Sequence, residues 1–465
     1  CTSTTNPYFC QYVLHTIATD PIFGATQDQR NAFLRMGGYT IRTTMQPQAQ
    51  TAATTAVTAA IPIDDPSQRA AAITMVQPGT GDIVAMAQNR NWGLSGIGNT
   101  TYNYNVNRAN GGTIGMQAGS TFKVFTLAAA LQQGLPPSTT IYSPNPNTFT
   151  GFVNCTTHTP FPPLTVHNST GAGTFDMRTG TAYSINTYFM GLEQMTGICA
   201  PADIAESMGV YRGNGKPLER VPSFTLGTQE VTPLQMAEAY ATFANHGSYC
   251  APRAILQMIN REGKPVAIPP VSCKQVITRD VADSVTALLT GVIDGPIGGR
   301  TGAPMSLPDR PAAGKTGTTN DSAAVWFDGF TPDMAASVWV GDPRGGYGFP
   351  MKDVTINGKY YAQVFGSTLP GPIWKQAMVG ALQGTMPAAF DLQSSFGLTA
   401  QRGVWTGQSS AAPKPTSSPA PFVFSNPQQT ATATPTTTQT TTTQTTPAAP
   451  AANPAPVDGA PNQAG

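Results

Sequence analysis

Apolar residues cluster into two pairs of short strand-like runs, one pair near each end of the middle of this chain, with helix-like sequence between them. Arg69-Ala-Ala-Ala-Ile-Thr-Met-Val76 and Asp82-Ile-Val-Ala-Met-Ala87 flank Gln-Pro-Gly-Thr-Gly. Two apolar runs across a Gly/Pro turn predict a β-hairpin. Ala324-Val-Trp-Phe-Asp-Gly-Phe330 and Ala335-Ala-Ser-Val-Trp-Val340 bracket Thr331-Pro-Asp and predict a second hairpin. The clearest helix opens at Thr232-Pro-Leu-Gln235, a capping box with Pro at the first helical position. It continues through Met236, Ala237, Tyr240, Ala241 and Ala244 and stops at Gly247. Strands at both ends and helices between predict an α+β fold. The two ends complete one antiparallel sheet, a helical lobe is inserted, and the site lies in the cleft between them.

Composition divides the chain further. Residues 1–66 form a mixed segment, expected to be an inter-domain linker ahead of the catalytic domain, in which Tyr39-Thr-Ile-Arg-Thr-Thr-Met45 alternates like a strand and an Ala/Thr/Gln-rich helix follows Pro47. Residues 67–400 read as the globular domain. Residues 401–465 are Ala, Pro, Thr, Gln and Ser with almost no charge. Such a segment buries too little apolar surface to offset its ordering entropy, so a disordered, semi-extended tail is expected. Net charge is +1, which gives no electrostatic case for nucleic acid or an anionic membrane surface. No apolar run approaches the roughly 18 residues needed to span a bilayer. The chain opens at Cys1 without a leader, which suggests that a signal or anchor has been removed or that a longer protein has been cut.

The six cysteines lack Cys-x-x-Cys spacing and the four histidines lack His-x-x-x-His spacing, so no metal site is expected. An even count suits disulfides in an oxidising compartment. Pairing of sequence neighbours (Cys1–Cys10, Cys155–Cys199, Cys250–Cys273) is the expectation, and six buried thiols are the alternative.

Three short motifs carry the chemistry: Ser120-Thr-Phe-Lys123, Ser184-Ile-Asn186 and Lys315-Thr-Gly-Thr318. Alone, each has a bland reading: a helix cap with an exposed lysine, a turn, a polar strand edge. Their order and contexts tell against chance. Ser120 precedes a strongly apolar helix closed by Gly134 and Pro136, so it sits where unpaired N–H groups favour developing negative charge. Lys123 lies one turn on, on the same face. Desolvation and a neighbouring cation push a lysine towards its neutral form, able to take the serine proton. Lys315, Thr316 and Thr318 offer one cation and two hydroxyls to a terminal carboxylate, and Gly317 allows a ligand backbone to approach. The N–H groups of Ser120 and Thr318 would form an oxyanion hole. Ser184 would relay a proton to the leaving amine, and Asn186 would hold Lys123 and the substrate amide.

This set resembles the transpeptidase region of a class A (bifunctional) penicillin-binding protein. Further stretches share the likeness, which covers roughly residues 35 to 390: Gly38-Tyr-Thr-Ile-Arg-Thr-Thr-Met-Gln-Pro47, Asn107-Arg-Ala109 through Lys123, and Leu226-Gly-Thr-Gln-Glu-Val-Thr-Pro-Leu234 through Ala241-Thr-Phe-Ala-Asn245. The resemblance implies the serine β-lactamase/penicillin-binding-protein transpeptidase fold, a central five-stranded antiparallel sheet flanked by helices plus a helical lobe. It also implies acylation of Ser120 by peptidoglycan stem peptides ending in D-Ala-D-Ala and transfer to an amine of a neighbouring stem peptide. β-Lactam antibiotics would be covalent inhibitors, no cofactor is needed, and the location is extracytoplasmic. Members of class A begin with a membrane anchor and a glycosyltransferase domain; neither is found here, so glycan polymerisation is not assigned, although the full-length protein is expected to carry both. Composition, cysteines and tail lean towards an actinobacterial source.

The same fold serves β-lactamases and D,D-carboxypeptidases. None of the six glutamates stands in a Glu-x-x-Leu-Asn context, so a penicilloyl-enzyme is expected to persist. A non-catalytic β-lactam receptor or wall-binding scaffold is the reading from another class, but it has no need of three intact motifs. A Gly-x-Ser-x-Gly elbow is missing, and Gly314-Lys-Thr lacks the start of a P-loop.

Overall fold

In the computed structural model, Cys1 and residues 3–399 are described; the tail expected at 401–465 lies outside the described residues. Both predicted hairpins form. The first pairs β1 (Ala70–Gln77) with β2 (Asp82–Gln88). The second pairs β4 (Ala324–Phe330) with β5 (Ala335–Gly341), and β3 (Ala313–Thr318) lies on its outer side. Because β5 pairs with β1, the two hairpins merge into one antiparallel sheet of five strands in the order β3-β4-β5-β1-β2.

The runs look continuously apolar because both faces of the sheet are covered. Successive side chains on a strand point to opposite faces. Ala72 and Val76 of β1 therefore join a core with Phe122, Tyr240 and Trp326. Ala71, Ile73 and Met75 join another with Ala53, Val57, Phe327 and Trp374. The first core holds α3 (Lys123–Gln132), α4 (Asn186–Thr196), α5 (Pro233–Ala244) and α6 (Arg279–Ile293). In α5 the predicted capping box is present, with Thr232 N donating to Gln235 Oε1 at 3.0 Å.

The segment before residue 66 shares both cores. Phe9, Tyr12, Val13 and Ile17 of α1 (Pro7–Thr19) are buried in the first. Ala49, Ala53, Ala56 and Val57 of α2 (Pro47–Ala60) are buried in the second, against α7 (Pro370–Ala381). Thr40–Thr43 pairs antiparallel with Ile255–Ile259. The cysteines are joined as Cys1–Cys10, Cys155–Cys199 and Cys250–Cys273, the nearest-neighbour pairing. Among the described residues, no helix is long and apolar enough to cross a membrane.

Candidate active site

Ser120 lies in a short 3-10 turn, Gly119–Phe122, that runs directly into α3. Contacts on three sides fix this turn. Gly119 has φ +61°, and a Cβ there would stand 2.9 Å from the backbone nitrogen of Thr318. Its own N–H donates to Gly227 O at 3.0 Å. From beneath, the hydroxyl of the fully buried Tyr240 donates to Thr121 O at 3.0 Å. The nucleophile turn is thus clamped against the edge strand β3.

Gly317 serves that clamp. A side chain there would meet Ala118 O at 2.5 Å and Trp326 Cβ at 2.9 Å. The sequence suggested that this glycine lets a ligand approach; the close approach in the structure is by the chain's own nucleophile turn.

Both motif lysines are fully buried and both reach Ser184. Lys123 Nζ lies 2.7 Å from Ser184 O, 2.7 Å from Asn186 Oδ1 and 3.2 Å from Ser184 Oγ. Lys315 Nζ lies 2.7 Å from the same Oγ and 3.1 Å from Thr316 O. Burial, with the charge of Lys315 second, holds Lys123 well below the usual lysine range. Burial lowers Lys315 to about 7.

These bonds suit a neutral Lys123. Two of its partners are pure acceptors, so two N–H bonds are used and one lone pair remains. Ser184 accepts from Lys315 and can donate to that lone pair. Ser184 itself holds a left-handed backbone, φ +57°, in the link between the helix Met177–Ala182 and α4. Asn186, the first residue of α4, is anchored by its Nδ2, which donates to His167 O at 2.8 Å.

Ser120 lines two cavities. One, of about 210 Å³, is bounded by Gln117, His167, Asn186, Thr228, Thr318 and Tyr347 among others. The other, of about 140 Å³, runs along Thr170, Ser184, Thr301, Thr316 and Phe365. Among the described residues, neither has a carboxylate on its wall. Thr318 also receives the Gly366 N–H on its hydroxyl, at 3.2 Å. Five of the eight candidate residues, Ser120, Ser184, Asn186, Thr316 and Thr318, line these two cavities. Lys123 and Lys315 stand behind the wall, reaching it through Ser184, and the side-chain bonds of Lys123 go to Ser184 and Asn186 and none goes to Ser120.

Sequence reasoning did not find His167, Gln117, Tyr347 or the Phe365–Ser367 wall. Their roles come from backbone carbonyls and long-range contacts that leave no local pattern. Gly227 did carry a signal, since it lies in the quoted Leu226-Gly-Thr-Gln stretch, but its contact with Gly119 is purely tertiary.

Residues 71–344 match the family model described as the penicillin-binding protein transpeptidase domain. Penicillin-binding protein 1A of Mycobacterium tuberculosis is 31% identical over 78% of this chain and 42% of its own length. The protein of the same name from Mycolicibacterium smegmatis is 32% identical over 83% and 46% respectively. The chain thus spans a little under half the length of these relatives. Among solved structures, the penicillin-binding protein PonA1 from M. tuberculosis superposes with a TM-score of 0.64 at 28% identity, covering 85% of this chain and 95% of that one. Its complex with penicillin V superposes with a TM-score of 0.63 at 27% identity, covering 85% and 99%.

Proposed function

The chain belongs to the penicillin-binding protein transpeptidase family, and from that premise we propose that it is an extracytoplasmic serine D,D-transpeptidase that cross-links peptidoglycan stem peptides. The observation that carries this reading is the convergence of Lys123 and Lys315 on Ser184 Oγ beside the cleft that holds Ser120.

Neutral Lys123 takes the Ser120 proton as Oγ attacks the carbonyl of the penultimate D-Ala. The backbone N–H groups of Ser120 and Thr318 hold the oxyanion, an interaction commonly worth about 3–4 kcal/mol per donor. The C–N bond then breaks. Its nitrogen receives the proton from Lys123 through Ser184, and D-Ala leaves. Lys315 in its protonated form, with the hydroxyls of Thr316 and Thr318, binds the terminal carboxylate beforehand. An amine of a second stem peptide attacks the acyl-enzyme, gives up its proton by the same relay and regenerates Ser120.

Among the described residues neither cavity bordering Ser120 has a carboxylate on its wall, which favours this over a β-lactamase that uses a glutamate to activate its deacylating water. The test is the mass of the protein after incubation with a labelled penicillin, followed over hours beside Ser120→Ala. A stoichiometric adduct that persists and is missing from the variant supports the reading. Rapid turnover would indicate a β-lactamase, and no adduct would indicate a scaffold. Free D-Ala release with water as the sole acceptor would indicate a carboxypeptidase.

A further inference from the structure

Glu193, the carboxyl of α4, has no part in the mechanism above and is fully buried. Its Oε1 accepts the Thr225 N–H at 3.0 Å. Among the described residues, Oε2 has no partner at full hydrogen-bond geometry. Burial pushes this carboxyl well above its usual range, and the Thr225 bond offsets only part of the rise, so the fold favours the neutral acid. Thr225 belongs to a 3-10 turn, Phe224–Leu226, that ends at Gly227. Its hydroxyl also receives that of Thr126 in α3, at 2.7 Å. The turn then meets the nucleophile. Gly227 O accepts the Gly119 N–H at 3.0 Å, and the Phe224 ring packs on Phe122 with centroids 5.2 Å apart. The fit is close, since a Cβ on Gly227 would stand 2.5 Å from Gly119 N.

We propose that Glu193 is a positioning residue for acylation: through Thr225 it sets the turn whose Gly227 carbonyl fixes Gly119, and it thereby sets Ser120 against Lys123. The proposal rests on the transpeptidase reading and adds a residue to it. The contacts form a closed circuit. Asn186 and Glu193 lie about two turns apart on one face of α4. Asn186 Oδ1 holds Lys123 Nζ directly, and Glu193 holds the turn beside Ser120. One helix therefore fixes the base at one point and the nucleophile at another. An error of about 1 Å in such a placement can cost about 10²-fold in rate. The chemistry of the side chain fits this duty. An apolar group in its place would leave the buried Thr225 N–H unpaired, and the turn would shift to find another acceptor. A neutral acid supplies the acceptor with no charge to bury.

The experiment measures the second-order acylation rate constant with a chromogenic β-lactam. In that step Ser120 Oγ bonds to the lactam carbonyl carbon, the ring C–N bond breaks and the ring nitrogen takes the hydroxyl proton. Glu193→Met keeps the length and removes the acceptor, and acylation is expected to fall by about 10–10²-fold. Glu193→Gln returns a neutral acceptor oxygen to the same place and should recover to within about threefold of the unmodified rate. Ile373→Ala separates position from stability. It hollows the second core, on the far face of the sheet, and should lower the melting temperature while acylation stays within about twofold. If Glu193→Met does not fold, Thr126→Val, which frees the same turn from α3, takes its place with an expected fall of about threefold to tenfold. Three results would overturn the positioning role and leave the transpeptidase reading standing: a near-normal rate in the variant that loosens the turn, equal slowing in Ile373→Ala, or Glu193→Gln as slow as that variant. An unmodified protein that the β-lactam does not acylate would remove both.

Discussion

Lys123 and Lys315, brought together from a helix start and an edge strand, share one hydroxyl: Ser184 Oγ lies 3.2 Å from the first Nζ and 2.7 Å from the second. Burial strips the hydration from both ammonium groups, and the charge of Lys315 adds repulsion at Lys123, so both release their protons early. Burial lowers Lys315 to about 7. Below that pH it is charged and binds a carboxylate; above it the charge is lost. The acylation rate constant for a penicillin should therefore decline as pH rises beyond about 7, because this constant reports the free protein. Lys123, held well below the usual lysine range by burial and by the charge of Lys315, must be neutral to take the serine proton and so sets the acid limb. A penicillin methyl ester has no carboxylate to lose, so its profile should stay level through the same range. Parallel profiles for acid and ester would mean that Lys315 does not read the carboxylate.

Removing the shared hydroxyl separates proton relay from backbone strain. Ser184 occupies φ +57°, where a residue with a Cβ is strained by about 1–2 kcal/mol. Ser184→Gly relieves that strain and Ser184→Ala retains it, yet both lose Oγ. Both variants should acylate about 10²–10⁴-fold more slowly, the usual size of a lost proton-transfer group. The glycine variant should melt at the higher temperature of the two. A glycine variant with near-normal rates would show that the hydroxyl is dispensable.

Gly119→Ala tests the clamp on the nucleophile. The new Cβ would stand 2.9 Å from Thr318 N and 3.0 Å from Thr318 C, both backbone atoms that cannot swing aside. The edge strand must move away, and with it one of the two oxyanion donors. Acylation should fall about 10²–10³-fold, as for loss of one such donor. Stopped-flow acylation with a chromogenic β-lactam checks this. A rate within threefold of normal would mean that the Thr318 N–H is not used.

Much of this arrangement is legible in the chain because it depends on local signals. The four runs from Arg69 to Val76, Asp82 to Ala87, Ala324 to Phe330 and Ala335 to Val340 each lie under two covering layers and so stand out as apolar blocks. The Thr232–Gln235 cap marks α5 by its own hydrogen bonds. Ser120 and Lys123 are separated by one helical turn, so their partnership is visible as spacing. What was not visible is set by contacts distant along the chain: His167 O against Asn186, Gly227 O against Gly119, Gln117 against Tyr347. Gly317 illustrates the limit. Its type signalled a close approach, and only the fold could say that the approaching group is Ala118 O.

Asp328 interrupts one of the apolar runs, and its position leads to a prediction about stability. It lies in β4, opposite Lys315 of β3 and Ser337 of β5, and is fully buried. Among the described residues, neither carboxyl oxygen has a partner at full hydrogen-bond geometry. Burial pushes its pKa up from 3.8 to about 7, and the neighbouring hydroxyls of Ser337 and Thr121 offset only part of that rise. Between those two values the folded protein holds a proton that the unfolded chain has released. Its contribution to stability is therefore complete below about 4 and is lost as pH climbs through about 7. Three units at about 1.4 kcal/mol each set an upper bound of about 4 kcal/mol on the loss. Asp328→Asn has the same shape and no charge to bury. Its urea midpoint should match that of the unmodified protein at pH 4 and exceed it at pH 8. Other titrating groups affect both proteins alike and cancel in the comparison. If the two midpoints keep a constant separation from pH 4 to pH 8, Asp328 is not titrating inside the fold, and its carboxylate must be paired in a way that these contacts do not provide.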